Sequence, residues 1–239
     1  LALPYKNQSA SKKEQIADMF NNISHRYDLL NHVLSMGIDK LWRKKAIRLL
    51  SQKKVESLLD IATGTGDFAL ASMRLNPKKV IGVDISDGML NVGRSKIKQK
   101  GLSHVISFEN GDSEKLRFGN NSFDAITVGF GVRNFEHLED GLSEMLRVLK
   151  PGGRVAILEF TKPRKFPVKQ LYKFYFKHVL PKIGKMVSKD SSAYTYLPES
   201  VYEFPDNEKF IDILKKLGYQ KAQMYTLSFG IAGIYLAEK

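Results

Sequence analysis

The chain has 239 residues and 43% hydrophobic content, enough for one large α/β domain with a substantial core. It has no cysteine and five scattered histidines, which excludes disulfides and thiolate metal sites and argues against a histidine metal cluster, so no metal is expected. The net charge of +13 points to an anionic partner, nucleic acid or lipid, or else to a plain excess of solvated lysines.

No apolar run approaches the roughly 20 residues that span a bilayer. The opening LALPYKNQSA lacks the basic and apolar regions of a signal peptide, and it begins with Leu rather than Met, as a trimmed chain would. Cytoplasmic residence is the expectation. Residues 11–34 carry Ile16, Met19, Phe20, Ile23, Tyr27 and Leu30 at three- and four-residue spacings, the apolar stripe of one or two helices. A helix over about 38–52 holds Trp42, Ile47, Leu49 and Leu50 among many bases, so 1–53 reads as an N-terminal helical cap. Strands and helices then alternate: strand 55–62, helix 67–75, strand 79–84, helix 86–99, strands 104–109 and 123–129, helix 136–149, strand 153–160. This alternation predicts a doubly wound, mostly parallel sheet of the α/β class. Lys150-Pro151-Gly152-Gly153 breaks a helix and turns into the next strand. Residues 162–204 read as an insertion rich in bases and aromatics. A helix over about 206–217 is stopped by Gly218. The apolar runs 219–228 and 230–237 then predict a C-terminal antiparallel hairpin, for seven strands in one domain spanning 1–239.

In such a sheet ligands sit at the carboxyl ends of the strands. The first candidate loop is LLDIATGTGDF (58–68), where Gly64 and Gly66 let backbone approach a ligand closely. The second is VIGVDIS (80–86), whose Asp84 offers an acceptor to ribose hydroxyls. Gly64 to Ala69 also fits the dinucleotide fingerprint, which leaves an NAD-dependent oxidoreductase as a rival. Asp60 and Asp67 bracket the loop with negative charge. That suits a cationic nucleoside such as S-adenosylmethionine (SAM) and opposes a pyrophosphate. In ENGDSEKLRF (109–118), Asp112 is placed to accept from an adenine amino group and the Ser113 N–H to donate to the ring; the same residues are also ordinary turn formers. In VGFGVRNFEHLED (128–140), Arg133 and Asn134 stand side by side between Phe130 and Phe135. Arg133 stays protonated and suits a developing oxyanion, unless it is only a surface partner of Glu136 or Asp140.

Several stretches together resemble the demethylmenaquinone and ubiquinone-biosynthesis C-methyltransferase family, a class I SAM-dependent group with a Rossmann-like sheet. They are FNNISHRYDLLNHVLSMGIDKLWR (20–43), LLDIATGTGDFA (58–69), VIGVDISDGMLNVGRSK (80–96), the segment from Gly111 to Gly153 with its GVRNF run, LEFTKP (158–163) and YTYLPESVYEFP (194–205). The chain departs at Ala62-Thr63, where methyltransferases often have Gly, and at Arg117, where this family often has Pro. The resemblance implies that Thr63, Gly64 and Gly66 hold the methionine end of SAM and that Asp84 binds the ribose. Met89 then packs near the adenine, which Asp112 and Ser113 bind. Arg133, Asn134 and Tyr27 line a quinol head-group pocket.

The implied reaction methylates a ring carbon of a polyprenyl-1,4-naphthoquinol, or of a methoxybenzoquinol as well or instead. The proton acceptor is open between an ordered water, a carboxylate and His25. Residues 162–189 hold nine Lys or Arg and no acid, interleaved with Phe166, Tyr172, Phe174, Tyr175 and Phe176. An amphipathic helix over about 167–180 lying peripherally on anionic lipid is one reading; packing on the domain or a homodimer contact is the other. The chain lacks the Asn/Asp-Pro-Pro-aromatic motif of amino-methylases and any recognisable RNA- or DNA-binding module, so nucleic acid is not the expected partner. A non-catalytic SAM-binding scaffold is the remaining rival.

Overall fold

In the computed structural model, which describes residues 2–5, 9–35, 37–179 and 192–239, apolar runs form seven strands. They are β1 (Ser57–Ile61), β2 (Lys79–Asp84), β3 (Ile106–Asn110), β4 (Phe123–Gly129), β5 (Leu149–Phe160), β6 (Gln220–Leu227) and β7 (Ala232–Glu238). Their order in the sheet is β3-β2-β1-β4-β5-β7-β6. The first five pair in parallel, and β7 runs antiparallel between β5 and β6. The strand order reverses between β1 and β4, so a crevice opens at their carboxyl ends.

Near-continuous apolar strands are what a sheet covered on both faces requires. Leu59, Ile61, Val83 and Ile126 pack on one face with α5 (Leu138–Val148) and the late helix over Glu208–Lys216. The alternate residues Leu58, Val80, Ala125 and Ala156 pack on the other, with α2 (Ile38–Leu50), α3 (Asp67–Ser72) and α4 (Asp87–Gln99). Helix α1 (Lys12–Leu34) buries Ile16, Met19 and Ile23, as its stripe predicts. The side chain of Leu30 lies outside the described residues.

Three local differences have physical causes. Strand β5 begins at Leu149 rather than at residue 153, because Leu149 pairs with Phe123 before the register shifts. The Lys150–Gly153 stretch is thus an irregularity within the strand, with Gly152 at φ 72°. The expected helix over about 167–180 is shorter: α6 (Val168–Phe174) passes into a π turn over Tyr175–Val179. Residues 180–191 of the expected insertion lie outside the described residues. The insertion also carries a regular element that its composition concealed, α7 (Ser192–Glu203), which buries Tyr196 and Val201 and is followed by α8 (Glu208–Lys216).

Candidate active site

The turn after β1 is built on its glycines. Gly64 and Gly66 have φ of 56° and 83°, where a side chain is strained. A Cβ on Gly66 would also lie 2.4 Å from the Phe108 ring. Ala62 occupies the same left-handed region at φ 50°, which accounts for the glycine common at that place in methyltransferases. Its methyl is accommodated because position 131 is Gly: a Cβ there would lie 2.5 Å from that of Ala62.

Asp60 is fully buried beneath this turn. It accepts from Thr63 Oγ1 at 2.6 Å, Thr127 Oγ1 at 2.6 Å and the Ala69 N–H at 3.0 Å. Burial raises its pKa to about 6 against these hydrogen bonds. Asp60 therefore clamps the loop from below. Asp67 is paired with Lys96 at 2.8 Å and Arg43 at 3.4 Å, so the charge around the loop is largely neutralised within the protein.

Asp84 ends β2 and accepts from the Gly64 N–H at 2.8 Å and the Ser86 N–H at 2.9 Å. Each carboxylate oxygen keeps further lone-pair capacity for a ligand hydroxyl. Burial raises its pKa. Asp112 and Ser113 line a cleft of about 40 Å³ together with Asp84, Ala62 and Asn134. Lys13 of α1 reaches across to Asp112 at 2.6 Å and Glu114 at 3.3 Å. Met89 is buried in the first turn of α4 and lines none of the three cavities described here, so it backs this region from the core.

A second cleft of about 30 Å³ lies over Thr63, Gly64 and Thr65. It shares Ala62 with the first cleft, and Tyr27, Arg43 and Phe130 with a much larger cavity of about 470 Å³. Three spaces thus follow one another along the carboxyl edge of the sheet. The largest has walls of Met19, Ile23, Trp42, Phe160, Leu171 and Tyr196. Phe130 and Phe160 stack with centroids 4.4 Å apart, and Trp42 meets both rings.

Arg133 lines this largely apolar cavity with its side chain 8% exposed. Its Nη1 donates to Glu159 Oε1 at 2.9 Å and to the Phe130 carbonyl, and its Nε donates to Ser200 Oγ at 3.3 Å. Its partner is therefore Glu159, rather than Glu136 or Asp140 of its own loop. Glu159 is fully buried, and burial raises its pKa against the pull of Arg133. Among the described residues Nη2 of Arg133 has no hydrogen-bond partner. Asn134 faces the first cleft and not the large cavity, but its Oδ1 accepts from the Tyr196 hydroxyl at 3.0 Å, which does line that cavity. His25 is exposed and lines none of the three spaces.

Sequence reasoning missed Glu159, Tyr196, Lys13, Lys96 and Asp28. The available signals were LEFTKP, with an acid between apolar residues at a strand end, and YTYLPESVYEFP, with aromatics at helical spacing. Among the described residues no group of acids and histidines forms a metal site.

The ubiE/COQ5 methyltransferase family matches residues 8–239. A demethylmenaquinone methyltransferase of Bacteroides fragilis is 52% identical over 99% of this chain and 96% of its own. The ubiquinone/menaquinone biosynthesis C-methyltransferase UbiE of Geobacter sulfurreducens is 45% identical over 95% of this chain and 90% of its own. The crystal structure of a SAM-dependent methyltransferase from Aquifex aeolicus superimposes with a TM-score of 0.60 at 19% identity, covering 82% of this chain and 88% of that one.

Proposed function

The chain belongs to the ubiE/COQ5 methyltransferase family, and from that premise we propose that it methylates a ring carbon of a demethylmenaquinol, with SAM as methyl donor. The observation that carries this reading is the row of three spaces: a cleft at Asp84 and Asp112, the glycine turn, and a largely apolar cavity that Arg133 lines. The side chains and backbone groups of the first two suit the hydroxyls, amino groups and charges of a nucleoside with a charged tail. A polyprenyl aromatic fits the third. The name carried by the Bacteroides relative favours the naphthoquinol. The name carried by the Geobacter relative keeps a benzoquinol as a second substrate.

Thr63, Gly64 and Gly66 hold the methionine end of the donor, Asp84 its ribose, and Asp112 with Ser113 its adenine, with Met89 behind. When bound, SAM supplies an electrophilic methyl group on a sulfonium. The protein's task is then to make the ring carbon nucleophilic and to align it. A phenolic hydroxyl ionises at a pKa of about 10 in water. Arg133 lines the cavity with its Nη2 unused among the described residues, and favours the phenolate by donating to its oxygen. Ionisation would raise electron density at the adjacent carbon; its attack on the donor's methyl would release the sulfur as a neutral thioether, and the ring proton would pass to water, restoring aromaticity. Glu159 holds Arg133 in place, and Tyr196 ties the cavity wall to Asn134 of the first cleft. Tyr27, shared by the middle and large spaces, lines the head-group end of the acceptor cavity where it meets the donor site. Much of the rate comes from this positioning.

The substrate's prenyl chain gives the basic charge a purpose. Phe166, Leu171, Phe174 and Phe229 are 80%, 64%, 60% and 85% exposed. Arg164, Lys165, Lys169 and Lys173 are exposed among them. Among the described residues no helix is long and apolar enough to cross a membrane. These exposed apolar side chains instead sit peripherally in an anionic lipid surface, with Leu171 and Phe229 also lining the cavity. Methyl transfer from radiolabelled SAM to reduced demethylmenaquinone, with the reduced methoxybenzoquinone in parallel, tests the substrate. Label in the naphthoquinol supports the reading, label in both extends it, and label in neither with SAM bound overturns it.

A further inference from the structure

Among the described residues, the hydroxyl of Tyr172 is the one buried side-chain polar atom with no hydrogen-bond partner. An orphaned buried hydroxyl forgoes its hydration and gains nothing in return, so it calls for an explanation. Tyr172 lies on α6 and lines the large cavity, whose other walls are almost wholly apolar. Burial raises its pKa, with Arg133 opposing and Glu159 and Asp206 adding to it, so the hydroxyl stays a protonated donor through neutral pH. Arg133 lines the same cavity and also has an unused donor, Nη2. The cavity thus holds two unsatisfied donors and no matching acceptor within the protein.

We propose that Tyr172 is a substrate-positioning residue whose hydroxyl donates a hydrogen bond to a ring oxygen of the bound aromatic substrate. The inference rests on the proposed reaction for the identity of that substrate. A 1,4-quinol carries two ring oxygens, as this pair of donors requires. Arg133 takes the oxygen that ionises, and Tyr172 takes the other. One consequence is selectivity: a ring lacking that oxygen leaves Tyr172 unpaired and binds more weakly. A second is mechanical. Tyr172 sits on the same short helix as the exposed Leu171 and Phe174, so engaging the ring fixes the segment that faces lipid.

The test is Tyr172→Phe in the full chain, which keeps the ring and removes only the orphaned hydroxyl. Trp42 is the single tryptophan and lines the cavity, so its emission reports binding. Two probes are titrated under anaerobic conditions: a short-chain 2-prenyl-1,4-naphthoquinol, and 2-prenylnaphthalene without ring oxygens. The variant is expected to bind the quinol roughly tenfold more weakly, to bind the hydrocarbon as the wild type does, and to melt no lower without ligand. Unchanged quinol affinity, or an equal loss for both probes, would overturn the inference. Methyl transfer by the wild type is measured on the same preparation. Turnover with quinol affinity intact in the variant defeats this inference alone. Absent turnover with the affinity pattern as expected defeats the proposed reaction alone.

Discussion

Arg133 anchors the buried Glu159 and, in the proposed reaction, also serves the chemistry; the two roles separate by experiment. Removing it leaves Glu159 as an unpaired buried carboxylate, a loss of about 3–5 kcal/mol. Arg133→Ala should therefore lower the melting temperature and also cut kcat at least about 100-fold, while SAM affinity holds. Adding Glu159→Gln to that variant should restore much of the melting temperature and none of the kcat, as calorimetry and single-turnover kinetics would show. Recovery of both together would reduce Arg133 to a structural residue. Asp60 makes a pH prediction. Its folded pKa of about 6 lies above its ordinary 3.8, so the native state holds the proton more tightly than the unfolded chain. Its contribution to stability is fully present below about pH 4 and is lost as pH rises through 6. Denaturant titrations of wild type and Asp60→Asn should thus diverge between pH 4 and 6, the wild type losing stability relative to the variant as pH rises. Parallel curves would contradict the burial argument.

At the scale of elements, α1 clasps the rims of the two small clefts proposed to hold the donor. Asn21 Oδ1 accepts from Ser86 Oγ at 2.7 Å and the Gly88 N–H at 2.9 Å. Asp28 accepts from Thr65 Oγ1 at 2.5 Å and pairs with Lys96 at 2.7 Å. Lys13 closes the far end on Asp112. Asn21→Ala combined with Lys96→Met should speed SAM release in stopped-flow dilution without altering the sheet's circular dichroism; an unchanged off-rate would remove the clasp. These contacts also mark the limit of sequence reading. The glycine turn, Asp84 and the seven strands rest on local signals, apolar runs and turn residues within a few positions, and were legible. Arg133 with Glu159, Arg133 with Ser200, and Lys13 with Asp112 join residues 26, 67 and 99 positions apart. No local pattern encodes such pairs; only the folded sheet edge brings them together. Asn134 shows the same limit. Its place beside Arg133 in the chain gave no warning that the two side chains face different spaces.

For the whole molecule, the proposed lipid contact rests on the net charge of +13 and on the exposed Phe166 and Phe174. Binding to vesicles with anionic lipid should fall steeply as salt rises, since exposed charges are screened over about 10 Å at 0.1 M ionic strength. Replacing Phe166 and Phe174, which do not line the large cavity, with Ser should weaken flotation and raise KM for a long-chain quinol in vesicles. KM for a short-chain quinol in solution should stay as it was. Equal KM changes for both would place these residues in the binding cavity rather than at a lipid surface.

The most direct test of the account is the position of the transferred methyl group. With ¹³C-methyl SAM and reduced demethylmenaquinone, the carbon spectrum of the extracted product should show a methyl bonded to the naphthoquinol ring carbon, and the signal should be absent with Arg133→Ala. A methoxy signal instead, from methylation at oxygen, would contradict an arrangement in which Arg133 holds that oxygen as phenolate while the neighbouring carbon attacks.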